Sequence, residues 1–239
     1  MLLDLDDTIL ANRDSLLKCW QSICERFTPQ ISDVSSQVLF TTIIESFGSF
    51  RKSRGRHGRV RFDTAEVIRE VVAMAFARLD IDIPGLAEDV ADTFTIERTD
   101  AMKPFPGAIE AVHHFRSQGI RLALVTNGNA QTQRPKIEKF GLGPLFDHIL
   151  IEGEFGAGKP EKQVYLHALD QLGSCPEEAW MVGDNLELDV AVPQGLGIFS
   201  IWVDFAGRGL PPDHPIQPDR IIGSLSELVN EMKSRSTIE

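Results

Sequence analysis

Asp4 and Asp6, two residues apart at the end of the apolar run that opens the chain, are the side chains best suited to do chemistry. A buried strand through Leu2 and Leu3 would deliver both acids to one point at its C-terminal end, and strand tips in open parallel sheets are where ligands bind. Two carboxylates so placed can hold a metal ion, or one can attack a substrate while the other moves protons. An acid-rich turn that merely ends a strand would look the same in isolation, so the other candidates must decide. Thr126, Asn127 and Gly128 follow the apolar run RLALV and offer a hydroxyl, an amide and backbone N–H groups, a cradle for an anion. Lys159, between Gly158 and Pro160, is a compact charge suited to a phosphate or a nucleophilic carboxylate. Pro160 biases it away from helical geometry and is expected to start the next helix. Asp184 and Asp189 follow the run AWMV and can complete an oxygen-only site for a hard cation. Glu187, between them, reads as solvated.

These residues need a scaffold, and the hydrophobic pattern supplies one in two parts. From residue 13 to 103 only helical periodicity is present, over Asp14–Phe27, Asp33–Phe47, Thr64–Leu79 and Pro84–Arg98, with Pro84 in the first turn of the last. The prolines and glycine of KPFPG, residues 103–107, make a hinge. Beyond it helices alternate with the short apolar strands Arg121–Val125, His148–Ile151, Ala179–Val182 and Phe199–Val203, ending in a helix over Ser224–Met232. Such alternation predicts an α/β fold, a Rossmann-like parallel sheet with helices on both faces. The opening strand belongs in that sheet, so residues 1–12 and 104–239 form the core and 13–103 an all-helical insertion. Met1 leaves three residues before Asp4, short for a central strand of about five or six, so the first strand is either clipped or begins at the very terminus.

Composition narrows the function classes. The 239 residues are 42% hydrophobic and 25% charged, as in ordinary globular proteins, with no apolar run long enough to span a membrane. The formal charge of −11 argues against nucleic acid as a partner. The acidity is uneven, since residues 13–103 hold 13 basic and 14 acidic side chains and carry almost no net charge. An N-terminus with Asp4, Asp6 and Asp7 does not read as a signal peptide. Cys19, Cys24 and Cys175, an odd and widely spaced set, read as reduced thiols, and a cytoplasmic location is expected.

The order of the polar strand ends, DLD, then Thr126, then Lys159-Pro160, then GDxxxxD from Gly183, resembles that of the haloacid dehalogenase-like superfamily of hydrolases. Residues 13–103 resemble the helical cap inserted after the first strand in its phosphatase branch, as in phosphoglycolate phosphatases and N-acylneuraminate-9-phosphatases. The resemblance implies a Mg²⁺-dependent phosphatase whose core closes against the cap to shut out water. It further implies that Asp4 attacks phosphorus to form an aspartyl phosphate, and that Asp6 protonates the leaving alcohol and then takes a proton from the attacking water. Mg²⁺ would be held by the carboxylates of Asp4 and Asp184 and the backbone carbonyl of Asp6. Thr126 and Lys159, supported by Asn127, would hold the phosphoryl oxygens, and Asp189 would orient Lys159 or a metal-bound water.

The substrate implied is a small phosphorylated metabolite. Asp6 favours a phosphatase over a dehalogenase, because an alkoxide leaves badly without a proton whereas a halide needs none. A phosphomutase with the same machinery, and a non-catalytic phospho-receiver or binding protein, stay as alternatives. RKSRGRHGRVR, residues 51–61, carries six basic side chains and no acid. Arg54 and Arg56 within it are candidates to select a second anionic group on the substrate, the alternative being a solvated loop. Tyr165 and the stretch Trp202 to Gly209 suggest no chemistry.

Overall fold

The computed structural model describes residues 1–53 and 65–236. Arg54 and Arg56 lie outside the described residues. The chain divides into two compact units, Met1–Asn12 with Lys103–Glu239, and Arg13–Met102.

Six strands form the sheet of the first unit: β1 (Leu2–Leu3), β2 (Ala123–Thr126), β3 (His148–Ile151), β4 (Trp180–Gly183), β5 (Phe199–Val203) and β6 (Arg220–Ile222). All pairings are parallel, in the order β3-β2-β1-β4-β5-β6. Parallel neighbours require crossovers, and the first unit supplies helices α5 (Ala108–Ser117), α6 (Ala130–Lys139), α7 (Glu152–Phe155), α8 (Lys162–Leu172), α9 (Val192–Gln194) and α10 (Leu225–Ser236). Leu2, Ala123, Val125 and Met181 pack with Val164, Tyr165, Ala168 and Leu169 of α8 in one core. Leu3, Leu124 and Val182, which point the other way, are also fully buried, so both faces of the sheet are covered. The sheet is thus the α/β arrangement expected from the alternating pattern.

The first strand is two residues long, yet it is central and paired on both edges with β2 and β4. Backbone bonding continues beyond it, with Ala123 N–H donating to the Met1 carbonyl and Asp4 N–H to the Val182 carbonyl, each at 3.0 Å. Neighbouring strands therefore supply the support that its own length does not. The edge strand β6 is absent from the sequence reading because three residues after a run of prolines carry no alternation. Pro160 precedes α8 by two positions, and Glu161 is its N-cap.

In the second unit α1 (Asn12–Phe27), α2 (Ser36–Ser53), α3 (Ala65–Arg78) and α4 (Leu86–Ala101) enclose their own core. Helix α2 runs six residues past the predicted end because the apolar face continues to buried Phe50. It starts later because Asp33 adopts a left-handed conformation, φ 61°. Pro84 does not enter the first turn of α4. Gly85 occupies the N-cap at φ 81°, a turn open to glycine, and Pro84 lies before it. Trp20 stacks on Phe94 at 3.8 Å and meets Phe47 edge-on at 6.1 Å. Cys19 and Cys24 are buried free thiols in the same core, where burial pushes them up to about 11 and about 12, which makes them poor nucleophiles.

Trp20→Ala removes the stacked ring from a closed core and is expected to cost about 3–5 kcal/mol in urea unfolding of the full chain. A loss below about 1 kcal/mol would show that the stack contributes little.

Candidate active site

Asp4 leaves β1 at the C-terminal edge of the sheet, and the next residues fold back sharply. Asp7 takes a left-handed conformation, φ 62°, one that aspartate tolerates better than most residues. Its N–H donates to the Leu10 carbonyl at 2.7 Å, while Ile9 and Leu10 N–H donate to Leu5. This turn brings the Thr8 hydroxyl to Asp4 Oδ2 at 3.0 Å. The other oxygen, Oδ1, accepts from Lys159 Nζ at 2.7 Å. Lys159 Nζ also donates to Asp189 Oδ1 at 2.6 Å, so one ammonium lies between two carboxylates. Asp4, Lys159 and Asp189 are all buried.

Each member of this triad has its own support. The Asn127 side chain grips the Lys159 main chain from both sides, its Nδ2 donating to the carbonyl at 2.7 Å and its Oδ1 accepting from the N–H at 2.8 Å. Asp189 Oδ2 accepts from Asn185 N–H at 3.1 Å. Asp189 lies on a π-helical stretch, Leu186–Ala191, capped by the Asn185 side chain, which accepts from Glu187 and Leu188 N–H. Tyr165 Oη donates to the Leu188 carbonyl at 2.5 Å, and Trp202 Nε1 to the Asp184 carbonyl at 2.7 Å. Tyr165 and Trp202, silent in the sequence, thus fix the loop that carries Asp184 and Asp189. Gly183 allows Asp189 to approach, because a Cβ there would lie 2.3 Å from the carboxylate.

Thr126, at the end of β2, is buried and its Oγ1 accepts from Gln133 Nε2 at 2.6 Å. The expected cradle of free N–H groups is narrower than predicted, because Gly128 N–H donates to Glu152 Oε2 at 3.0 Å. Asn129 is the N-cap of α6, with its side chain accepting from Thr132 N–H. Glu187 is exposed.

Asp6 is placed differently from Asp4. Its Oδ1 and Oδ2 accept from Lys136 Nζ at 2.8 and 2.7 Å, and Oδ2 also from Gln133 Nε2 at 2.9 Å. Neither Lys136 nor Gln133 was a candidate in the sequence. Their i, i+3 spacing on the helix after Thr126 was the one available signal, and it is as common in ordinary helices.

One oxygen from each of Asp4, Asp184 and Asp189 lies within 4.8 Å of the others. Burial works to raise the Asp4 pKa above the usual carboxylate range, with the Lys159 ammonium opposing it and repulsion from Asp189 and Asp184 adding to it. Burial also disfavours the Lys159 cation, but Asp189 and Asp4 overcome it and hold its pKa above the usual lysine range. Three carboxylates around one ammonium leave an excess of negative charge, and an all-oxygen donor set of this kind fits a hard divalent cation. The Asp6 side chain lies outside this cluster, so only its main-chain carbonyl is a candidate.

A sheet of this order has its ligand crevice beside β1, where successive connections leave in opposite directions, and the acids and lysine converge there. The profile of the haloacid dehalogenase-like hydrolases matches residues 1–197, and the chain belongs to that family. A phosphoserine phosphatase of Thermus thermophilus is 40% identical over 146 residues, spanning 61% of this chain and 57% of that protein, little more than half its length. A glyceraldehyde 3-phosphate phosphatase of Methanocaldococcus jannaschii is 24% identical over 98% of this chain and 96% of its own. A solved structure of the putative HAD-hydrolase YfnB from Bacillus subtilis, bound to magnesium, shares the fold with a TM-score of 0.71 at 22% identity, over 97% of this chain and 96% of that one.

Gly183→Ala would force the Asp189 carboxylate away and is expected to cost about 1–3 kcal/mol in chemical denaturation. Unchanged stability would show that the loop relaxes freely around the added methyl group.

Proposed function

We propose that the protein is a Mg²⁺-dependent phosphatase that hydrolyses a small-molecule phosphate monoester through a phosphoaspartate on Asp4. The observation that carries this reading is the Asp4 carboxylate, fixed by Lys159 and Thr8 at the tip of the central strand, with a second acid two residues on. Asp4 attacks phosphorus and displaces the alcohol, which splits one difficult hydrolysis into two easier displacements. Thr126 and Lys159 hold the phosphoryl oxygens. Asn127 acts by gripping the Lys159 main chain. Asp6 gives a proton to the leaving oxygen and then takes one from the water that attacks the phosphoaspartate. Asp4, Asp184 and the Asp6 carbonyl would hold Mg²⁺, whose positive charge would offset the repulsion between carboxylate and phosphate. Asp189 orients Lys159.

Phosphatases among the relatives support this reading. The presence of Asp6 favours it over dehalogenation, where no proton donor is needed. The acidic chain suits a small phosphorylated metabolite rather than nucleic acid as substrate. Residues 13–103 are, in this reading, the cap that selects substrate, with Arg54 and Arg56 as the candidates for a second anionic group. Charge reversal at both should raise the KM of doubly anionic substrates about tenfold or more; an unchanged substrate panel would exclude that role.

Phosphate release from a panel of phosphorylated metabolites with Mg²⁺ tests the function directly. Asp4→Asn should abolish turnover while leaving the circular dichroism spectrum unchanged. Retained turnover would overturn the phosphoaspartate.

A further inference from the structure

We propose that Lys136 and Gln133 are positioning residues that hold Asp6 as the proton donor and couple it to the phosphate-binding Thr126. The inference rests on the phosphatase reading and adds to it two residues on the buried face of α6. Lys136 is almost fully buried, its side chain 10% exposed against 24% for Asp6. Its ammonium reaches both Asp6 oxygens, at 2.7 and 2.8 Å, which fixes the plane of the carboxylate as well as its position. A surface lysine would be free to wander, whereas this one is enclosed and aimed at one acid.

Gln133 links that acid to the rest of the site. Its Nε2 lies 2.9 Å from Asp6 Oδ2, 2.6 Å from Thr126 Oγ1 and 2.9 Å from the Asn127 carbonyl. Its Oε1 is buried without a hydrogen-bond partner. Turning the amide over would set that oxygen against the Asn127 carbonyl and leave Asp6 Oδ2 and Thr126 Oγ1 without the N–H they accept from. The amide is therefore held in the direction that serves Asp6 and Thr126, at the expense of an unpaired oxygen. One side chain thus sets the spacing between the proton donor and a phosphoryl-binding hydroxyl.

The chemistry requires such a hold. As the phosphorus–oxygen ester bond breaks, its electron pair stays with the leaving oxygen, which takes the proton from Asp6 and departs as the alcohol. Asp6 is left as a carboxylate facing the Lys136 ammonium, a fixed positive charge where negative charge develops. When water attacks the phosphoaspartate its proton returns to Asp6, the Asp4 carboxylate is released, and Lys136 has neither gained nor lost a proton.

The test compares two aryl esters of similar size that differ in how much they need the proton. In kcat/KM, which reports the steps up to ester cleavage, phenyl phosphate depends on the acid and p-nitrophenyl phosphate, with its better leaving group, depends on it far less. Lys136→Met should raise the ratio of the p-nitrophenyl to the phenyl value about tenfold or more, and Lys136→Arg should bring it back toward wild type. Gln133→Met should shift the ratio in the same direction. An equal loss on both esters, or an unchanged ratio, in a folded Lys136→Met protein that retains measurable turnover would overturn the proposal while leaving the phosphatase reading intact. A wild-type protein that releases phosphate from no ester would overturn both.

Discussion

A buried lysine between two buried aspartates is the interaction on which the site depends. The Lys159 ammonium contacts Asp4 and Asp189 at 2.7 and 2.6 Å with almost no exposure to water. Taking such charges out of water is costly, and removal of one partner leaves another buried and uncompensated. The three groups come from β1, from the loop after α7 and from the π-helical stretch after β4, so their pairing ties three separate connections together. Much of the surrounding structure follows from keeping that lysine in place. Asn127 holds its main chain, Tyr165 and Asn185 shape the Asp189 loop, and Gly183 leaves room for the Asp189 carboxylate.

The order of the sheet explains why these groups meet. The strand β1 lies between β2 and β4, and Asp4, Thr126 and Asp184 leave adjacent strands at the same edge. Side chains alternate across a sheet, so a one-residue slip of β1 would send Asp4 to the opposite face. Two residues hold this register because parallel partners grip both edges and the ladder continues through Met1 and Asp4.

Asp4 and Asp6 show how two like side chains acquire different surroundings. The first is enclosed with Lys159 and Thr8, beside the carboxylates that can share a cation. The second is less buried and turned toward α6, where Lys136 and Gln133 serve its oxygens. Environments that separate two acids in this way suit one to nucleophilic attack and the other to proton transfer. The division comes from what surrounds each residue and not from the acids themselves.

The sequence by itself determined the alternation of apolar strands and helices, the helical insertion, and the order Asp4, Asp6, Thr126, Lys159, Asp184. Those features are legible because each is local: an apolar run buried on both faces, ending in a polar residue, is recognisable without its neighbours. Nothing local marks β6, the occupation of the Gly128 N–H by Glu152, or the roles of Tyr165, Trp202, Gln133 and Lys136. Lys136 meets Asp6 across 130 residues of chain, and Lys159 meets Asp4 across 155. The second pair could be anticipated because Asp4 follows an apolar run and Lys159 stands between Gly158 and Pro160 just before a helix, whereas Lys136 is one of several polar residues on an ordinary helix. Only the tertiary structure selects it, because which face of α6 turns toward the end of β1 is decided by sheet order and packing, and no short stretch of sequence encodes either.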